Sequence, residues 1–166
     1  MTSDERPSRD DILMLSANLW ARRSSCSRSH IGVVIASTDG RILITGYNGA
    51  PAGMQHCNHN CTCRYVSREA FESASLGHFL ECPADKPCLI SVHAEANAIA
   101  RCAMEGIRIG GSQIFTTFSP CVPCAQLIIS SGISRVVWGQ EYRDHRGLDL
   151  LDQAGLEVVK YGHETD

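Results

Sequence analysis

Two short stretches of this sequence hold residues suited to chemistry: "HAE" at 93–95 and "SPCVPC" at 119–124. Cys121 and Cys124 stand three apart, each behind a proline. A pair at that spacing can form a disulfide, half of a structural zinc site or half of a catalytic one. Both stretches open segments of helical composition. Cysteines at i and i+3 share one side of a first helical turn, where unpaired N–H groups and the helix dipole favour thiolate. His93 adds an imidazole from the other helix start. Two sulfurs and one nitrogen leave a tetrahedral zinc with one open position, the mark of a catalytic rather than a structural site. A water there would have its pKa lowered to about 7. Glu95, two residues after His93, can reach the open side from a first helical turn and serve as proton carrier. Alone, a Cys-x-x-Cys equally suits a zinc ribbon or a redox pair, and a His-x-Glu says little. A redox pair would leave His93 and Glu95 without a role. The combination points to catalytic zinc, with a structural zinc or no metal as the plainer alternative.

The elements that must position these residues follow from periodicity. From Asp10 to Arg23 the apolar residues Ile12, Leu15, Leu19 and Trp20 recur at helical spacing. "HIGVVIAS", "TDGR" and "ILITGY" read as strand, turn and strand. After a long irregular stretch over 46–92, with one short candidate helix at "SREAFESASLG", the pattern becomes regular. "HAEANAIARCAMEG" is alanine-rich and ends on glycine, as a helix would. "SQIFTTF" is a strand. "PCAQLIISSG" is a helix with Pro123 suited to its first turn. "SRVVWG", "GLDLLDQAG" and "LEVVKY" complete a strand, a short helix and a last strand. The order α-β-β-insertion-α-β-α-β-α-β implies an α/β fold whose later strands are parallel and covered by helices.

The 166 residues suit one domain with a sizeable core. Hydrophobic residues make up 43% and charged residues 20%, as in a soluble globular protein. A net charge of −3 argues against a general nucleic-acid binder, which would carry a basic face. No stretch is apolar for long enough to span a membrane by sequence, and "MTSDERPSRDD" has no apolar signal core, so a cytoplasmic location is expected. Reducing conditions there favour reading the nine cysteines, an odd number, as ligands or catalytic groups rather than as a disulfide framework.

The combination "HAEANAI…SPCVPCA" resembles the zinc-dependent cytidine deaminase superfamily. "SSCSRSHIGVVI", "GYNGAPAG", "CAQLIISSGISRVV" and "GLDLLDQAGLEV" are similar to the deoxycytidylate (dCMP) deaminase branch, over roughly residues 11–161. The resemblance implies a three-layer sandwich with a five-stranded mixed sheet. It also implies hydrolytic attack at C4 of cytosine, with Glu95 carrying a proton to N3 and helping ammonia leave. The backbone around Ala94 and Ser119 would meet the Watson–Crick edge. Asn48 would bond the sugar 3′-hydroxyl, although Asn-Gly is also a turn signal. Arg28 is a candidate for the 5′-phosphate. Tyr142 and Arg143 follow a strand end, where substrate-facing residues gather in open α/β sheets. Solvated loop or surface roles are the alternatives for Arg28, Tyr142 and Arg143. Members of the branch are commonly hexamers regulated by dCTP and dTTP, so a homo-oligomer and a nucleotide effector, with Mg2+, are implied.

The insertion at about 54–92 is rich in cysteine and histidine, and Cys26 lies upstream. The resemblance implies a second, structural zinc in this region. Cys26 and Cys57 match ligand-bearing positions, and Cys63 and Cys88 match cysteines of other members. Cys61, Cys82, His56 and His59 are alternates, with His78 nearby. A set of buried reduced thiols is the alternative. Cys102, within the helix that follows His93, is expected to be a small core residue.

Overall fold

The computed structural model describes residues 6–26, 28–54 and 91–162. Among them the chain forms α1 (Arg9–Ala21), β1 (Gly32–Ala36), β2 (Ile42–Tyr47), α2 (Ala94–Glu105), β3 (Gln113–Phe118), α3 (Val122–Ser130), β4 (Arg135–Gln140), α4 (Arg146–Gln153) and β5 (Glu157–Lys160). The expected order is the observed one, and the candidate helix at 67–77 lies outside the described residues. The sheet runs β2-β1-β3-β4-β5. β1 is antiparallel to both β2 and β3, while β3, β4 and β5 are parallel.

All five residues of β1 are buried, which explains its unbroken apolar run: helices cover both faces of the sheet there. On one face Leu13, Met14 and Ala17 of α1 pack against Val34, Ala36, Phe115 and Val137. On the other, Ala94, Ala98 and Cys102 of α2, Ala125 and Ile128 of α3 and Leu151 of α4 cover Val33, Ile35, Ile114 and Val136. The result is the three-layer α/β sandwich expected. Cys102 is 1% exposed and is a core residue.

α1 turns a different face inward from the one that Ile12, Leu15, Leu19 and Trp20 mark. Ile12, Leu15 and Leu19 are 50%, 61% and 63% exposed, while Leu13, Met14, Ala17 and Ala21 are buried. The reason is close approach. A Cβ on Gly32 would lie 2.0 Å from the carbonyl oxygen of Ala17 and 2.5 Å from the nitrogen of Ala21. Ala17 and Ala21 let helix and strand meet backbone to backbone; Leu13 and Met14 share their inward face, while Ile12, Leu15 and Leu19 lie off it. Ser8 caps this helix: its hydroxyl accepts from the N–H of Asp11, whose carboxylate accepts from the N–H of Ser8. Arg135 then ties the helix start to the sheet through Asp10 and Glu157, each at 2.8 Å.

Candidate active site

Two helix starts meet beside the ends of β2 and β3. His93 is the N-cap of α2 and Cys121 the N-cap of α3. Neither side chain caps its own helix. Pro123 sits in the first turn of α3, where a missing N–H costs nothing. Nδ1 of His93 lies 3.3 Å from Sγ of Cys121 and 3.4 Å from Sγ of Cys124. All three ligand atoms fall within 4.8 Å of one another. A zinc with bonds of about 2.3 Å to sulfur and about 2.0 Å to nitrogen, at tetrahedral angles, holds such atoms about 3.5 Å apart. The donor set and its spacing therefore fit zinc.

Glu95 stands beside them, 3% exposed, with Oε2 meeting no hydrogen-bond partner among the described residues. A buried polar atom without a partner is costly, and one aimed at a reaction site has a reason to persist. Burial pushes its carboxyl above the usual range, against the opposing pull of its own backbone N–H and of His93. The thiols are coupled. A hydrogen bond from Cys124 lowers Cys121, and the same bond with burial raises Cys124.

"GYNG" is the junction that sets the His93 side. A Cβ on Gly46 would lie 2.7 Å from the carbonyl oxygen of Ala94, so only glycine lets the first turn of α2 rest on β2. The side-chain amide of Asn97 donates to the carbonyl of Tyr47 at 2.9 Å. Gly49 and Val92 exchange backbone hydrogen bonds directly before His93. Asn48 is 5% exposed. Its Oδ1 accepts from the N–H of Ile31 and its Nδ2 donates to the carbonyl of Ser29, both at 2.8 Å. It thus clamps the loop that carries Cys26, which is buried, and Arg28, which is exposed. The sequence marked Asn48 as a sugar contact; this clamping role escaped it, since no local pattern shows what a side-chain amide will hold.

Ser119 is 3% exposed, and its hydroxyl accepts from the N–H of Tyr142 at 2.8 Å. Tyr142 is half-buried, with the guanidinium of Arg143 over its ring at 5.7 Å. Ala94 is fully buried beneath the site. His56, Cys57, His59, Cys61, Cys63, Cys82 and Cys88 lie outside the described residues.

A family model for the cytidine and deoxycytidylate deaminase zinc-binding region matches residues 7–140. The chain belongs to this deaminase family. A deoxycytidylate deaminase of Mycobacterium phage D29 is 38% identical over 82% of this chain and 98% of its own. The ComE operon protein 2 of Bacillus subtilis is 34% identical over 93% of this chain and 71% of its own. A solved dCMP deaminase of the cyanophage S-TIM5, in complex with dCMP and dUMP, superposes with a TM-score of 0.72 at 30% identity, covering 95% of this chain and 99% of that one. Within the deaminase matched here, the His93, Cys121 and Cys124 cluster is the set of side chains that suits the family's zinc.

Proposed function

We propose that this chain hydrolytically deaminates dCMP to dUMP and ammonia, supplying dUMP for thymidylate synthesis. The observation that carries the reading is the buried Glu95 carboxyl, whose Oε2 has no hydrogen-bond partner among the described residues, beside a three-ligand cluster that leaves one coordination position open. Zinc held by His93, Cys121 and Cys124 supplies the Lewis acid that makes water a nucleophile at neutral pH. Glu95 would take one proton from that water and deliver it to N3 of cytosine, then take the proton of the hydroxyl now on C4 and pass it to the leaving amine, so that the carbonyl forms as ammonia departs. Burial raises its pKa, which favours a carboxyl that both accepts and returns a proton. Backbone groups of Ala94 and Ser119 meet the base edge. Asn48 offers its second Nδ2 hydrogen to the sugar, the first being given to Ser29. Arg28, exposed on the clamped loop, meets the 5′-phosphate. Tyr142 and Arg143 stand at the C-terminal end of β4, where ligands gather in such sheets.

The test is a substrate panel of dCMP, dCTP, deoxycytidine and dAMP, read by ammonia release. Fastest release from dCMP is expected, and none from dCMP would overturn the reading. Equal or faster turnover of dCTP would give the second reading, a dCTP or dual nucleotide deaminase. A modified cytosine nucleotide remains within the same chemistry. The acidic balance of the chain argues against a tRNA base deaminase.

The same reading takes residues 1–166 as one cytoplasmic domain, and no described helix is long and apolar enough to cross a membrane. It takes the assembly as a homo-oligomer, a hexamer by resemblance, and the exposed Ile12, Leu15 and Leu19 stripe supports association. It includes a structural zinc held by Cys26 with Cys57, Cys63 and Cys88. It also includes dCTP and dTTP as effectors, with Mg2+. A cleft of about 550 Å³ at β2, lined by Trp20, Arg23, Tyr47 and by Arg101 paired with Glu105, offers an aromatic surface and the Arg23 cation to a nucleotide effector. The rings of Trp20 and Tyr47 stack there at 6.3 Å.

A further inference from the structure

The turn 119–121 carries Cys121, and its Ser119 and Pro120 are buried under neighbouring elements. Pro120 has no N–H to donate, and Cys121 keeps an extended backbone at φ −73° and ψ 167°. What holds the turn comes from the next strand. Because β3 and β4 are parallel, their C-terminal ends leave the sheet side by side, with Phe118 paired to Gln140. The N–H of Ser119 donates to the carbonyl of Gln140 at 2.8 Å. The hydroxyl of Ser119 accepts from the N–H of Tyr142 at 2.8 Å. Gly147, in the first turn of α4, then presses on the far side of the turn. A Cβ there would lie 2.0 Å from the carbonyl oxygen of Pro120 and 2.9 Å from the carbonyl carbon of Cys121.

We propose that the segment Gln140–Gly147 is a splint for the metal-ligand turn, with Gly147 and Ser119 as positioning residues that fix Cys121. The glycine is needed for space, since its φ is not in the left-handed region. The atoms it meets are backbone, so no flexible side chain can move aside. Relief requires a shift of about 1 Å, from 2.0 Å to the 3.0 Å that real Cβ contacts respect. α4 resists moving, because Leu151 is fully buried in the core shared with α3. The turn yields instead, and a zinc site tolerates only about 0.2 Å in ligand distance.

The inference rests on the zinc reading of the cluster but not on the identity of the nucleotide. The test is zinc affinity of the full chain by chelator competition, with the sulfur-to-metal bands of the cobalt(II)-substituted protein as a geometric readout. Gly147→Ala is expected to lose about 10- to 100-fold in zinc affinity and to weaken or shift the cobalt bands. Ser119→Ala, which deletes one hydroxyl and is the safer variant for folding, should move both readouts in the same direction. Leu13→Ala is the control: it removes core packing from the sheet face opposite α2 and α3, and should cost stability without changing zinc affinity in the folded protein. Unaltered zinc affinity and unaltered cobalt bands in Ser119→Ala, or in a folded Gly147→Ala, would overturn the splint. An unsubstituted chain that binds no zinc would overturn the metal reading itself, whatever the substrate panel shows.

Discussion

In the proposed mechanism Glu95 is the residue on which the chemistry turns. Glu95→Gln keeps the shape of the side chain and removes the proton carrier, so turnover should fall at least about 100-fold with zinc still bound. Near-normal ammonia release from that variant would remove Glu95 from the mechanism. The same substitution has a stability consequence whose sign follows from burial. The folded chain holds the Glu95 proton more tightly than the unfolded chain does. Its contribution to folding is therefore complete below the unfolded value of about 4.3 and is lost as pH rises through the folded one. Metal-free Glu95→Gln should melt above the metal-free parent at pH 8, and the gap should close towards pH 4. A gap that grows on acidification would contradict the direction assigned. Arg28 offers a separate test. Removing a charge-assisted contact costs about 1.5–3 kcal/mol, so Arg28→Ala should lose roughly 10- to 150-fold in kcat/KM on dCMP and almost nothing on deoxycytidine. Equal losses on both would assign Arg28 to the fold and pass the phosphate to Arg143.

At the scale of elements, the legible part was the part written in local pattern. Both ligand-bearing helices were visible because Pro123 and a terminal glycine bracket them in sequence, and β1 because a doubly covered strand must be apolar throughout. The inward face of α1 was not. Ile12, Leu15, Leu19 and Trp20 form the apolar stripe the spacing shows, yet the helix buries Leu13 and Met14 with Ala17 and Ala21, because Gly32, eleven residues past Ala21, removes a Cβ from the alanines' path. The splint at Gly147 was illegible for the same reason: its partner is a carbonyl 27 residues earlier, and its φ is ordinary. The α1 orientation can be checked by paired truncations in the metal-loaded protein. Leu13→Ala should cost about 2–5 kcal/mol, as a fully buried leucine does. Leu15→Ala should stay within about 0.5 kcal/mol of the parent when unfolding is measured at concentrations low enough to keep the chain monomeric. The reverse order in denaturant midpoints would mean the helix is turned the other way.

For the whole molecule, the question is how a chain with a site at 93–124 uses the cysteines and histidines that lie between 54 and 92. One zinc accounts for His93, Cys121 and Cys124. Cys26 is buried, 6% exposed, on a loop fixed by the Asn48 amide and by the hydroxyl of Ser24, which donates to the carbonyl of Asn48 at 2.8 Å. The proposed structural zinc takes this thiol as one ligand of a closed four-ligand site, with thiols of the insertion as the others. Such a site would order a segment whose sequence has no regular apolar face of its own, because metal binding and folding share one free energy. The purified full chain should therefore carry more than one zinc. Cys121→Ser should lose the catalytic metal and keep the other, while Cys26→Ser should lose the other and lower the melting temperature before it touches the His93 cluster. Metal analysis that returns a single zinc, abolished by Cys121→Ser and untouched by Cys26→Ser, would leave the insertion as a set of reduced thiols held by packing alone.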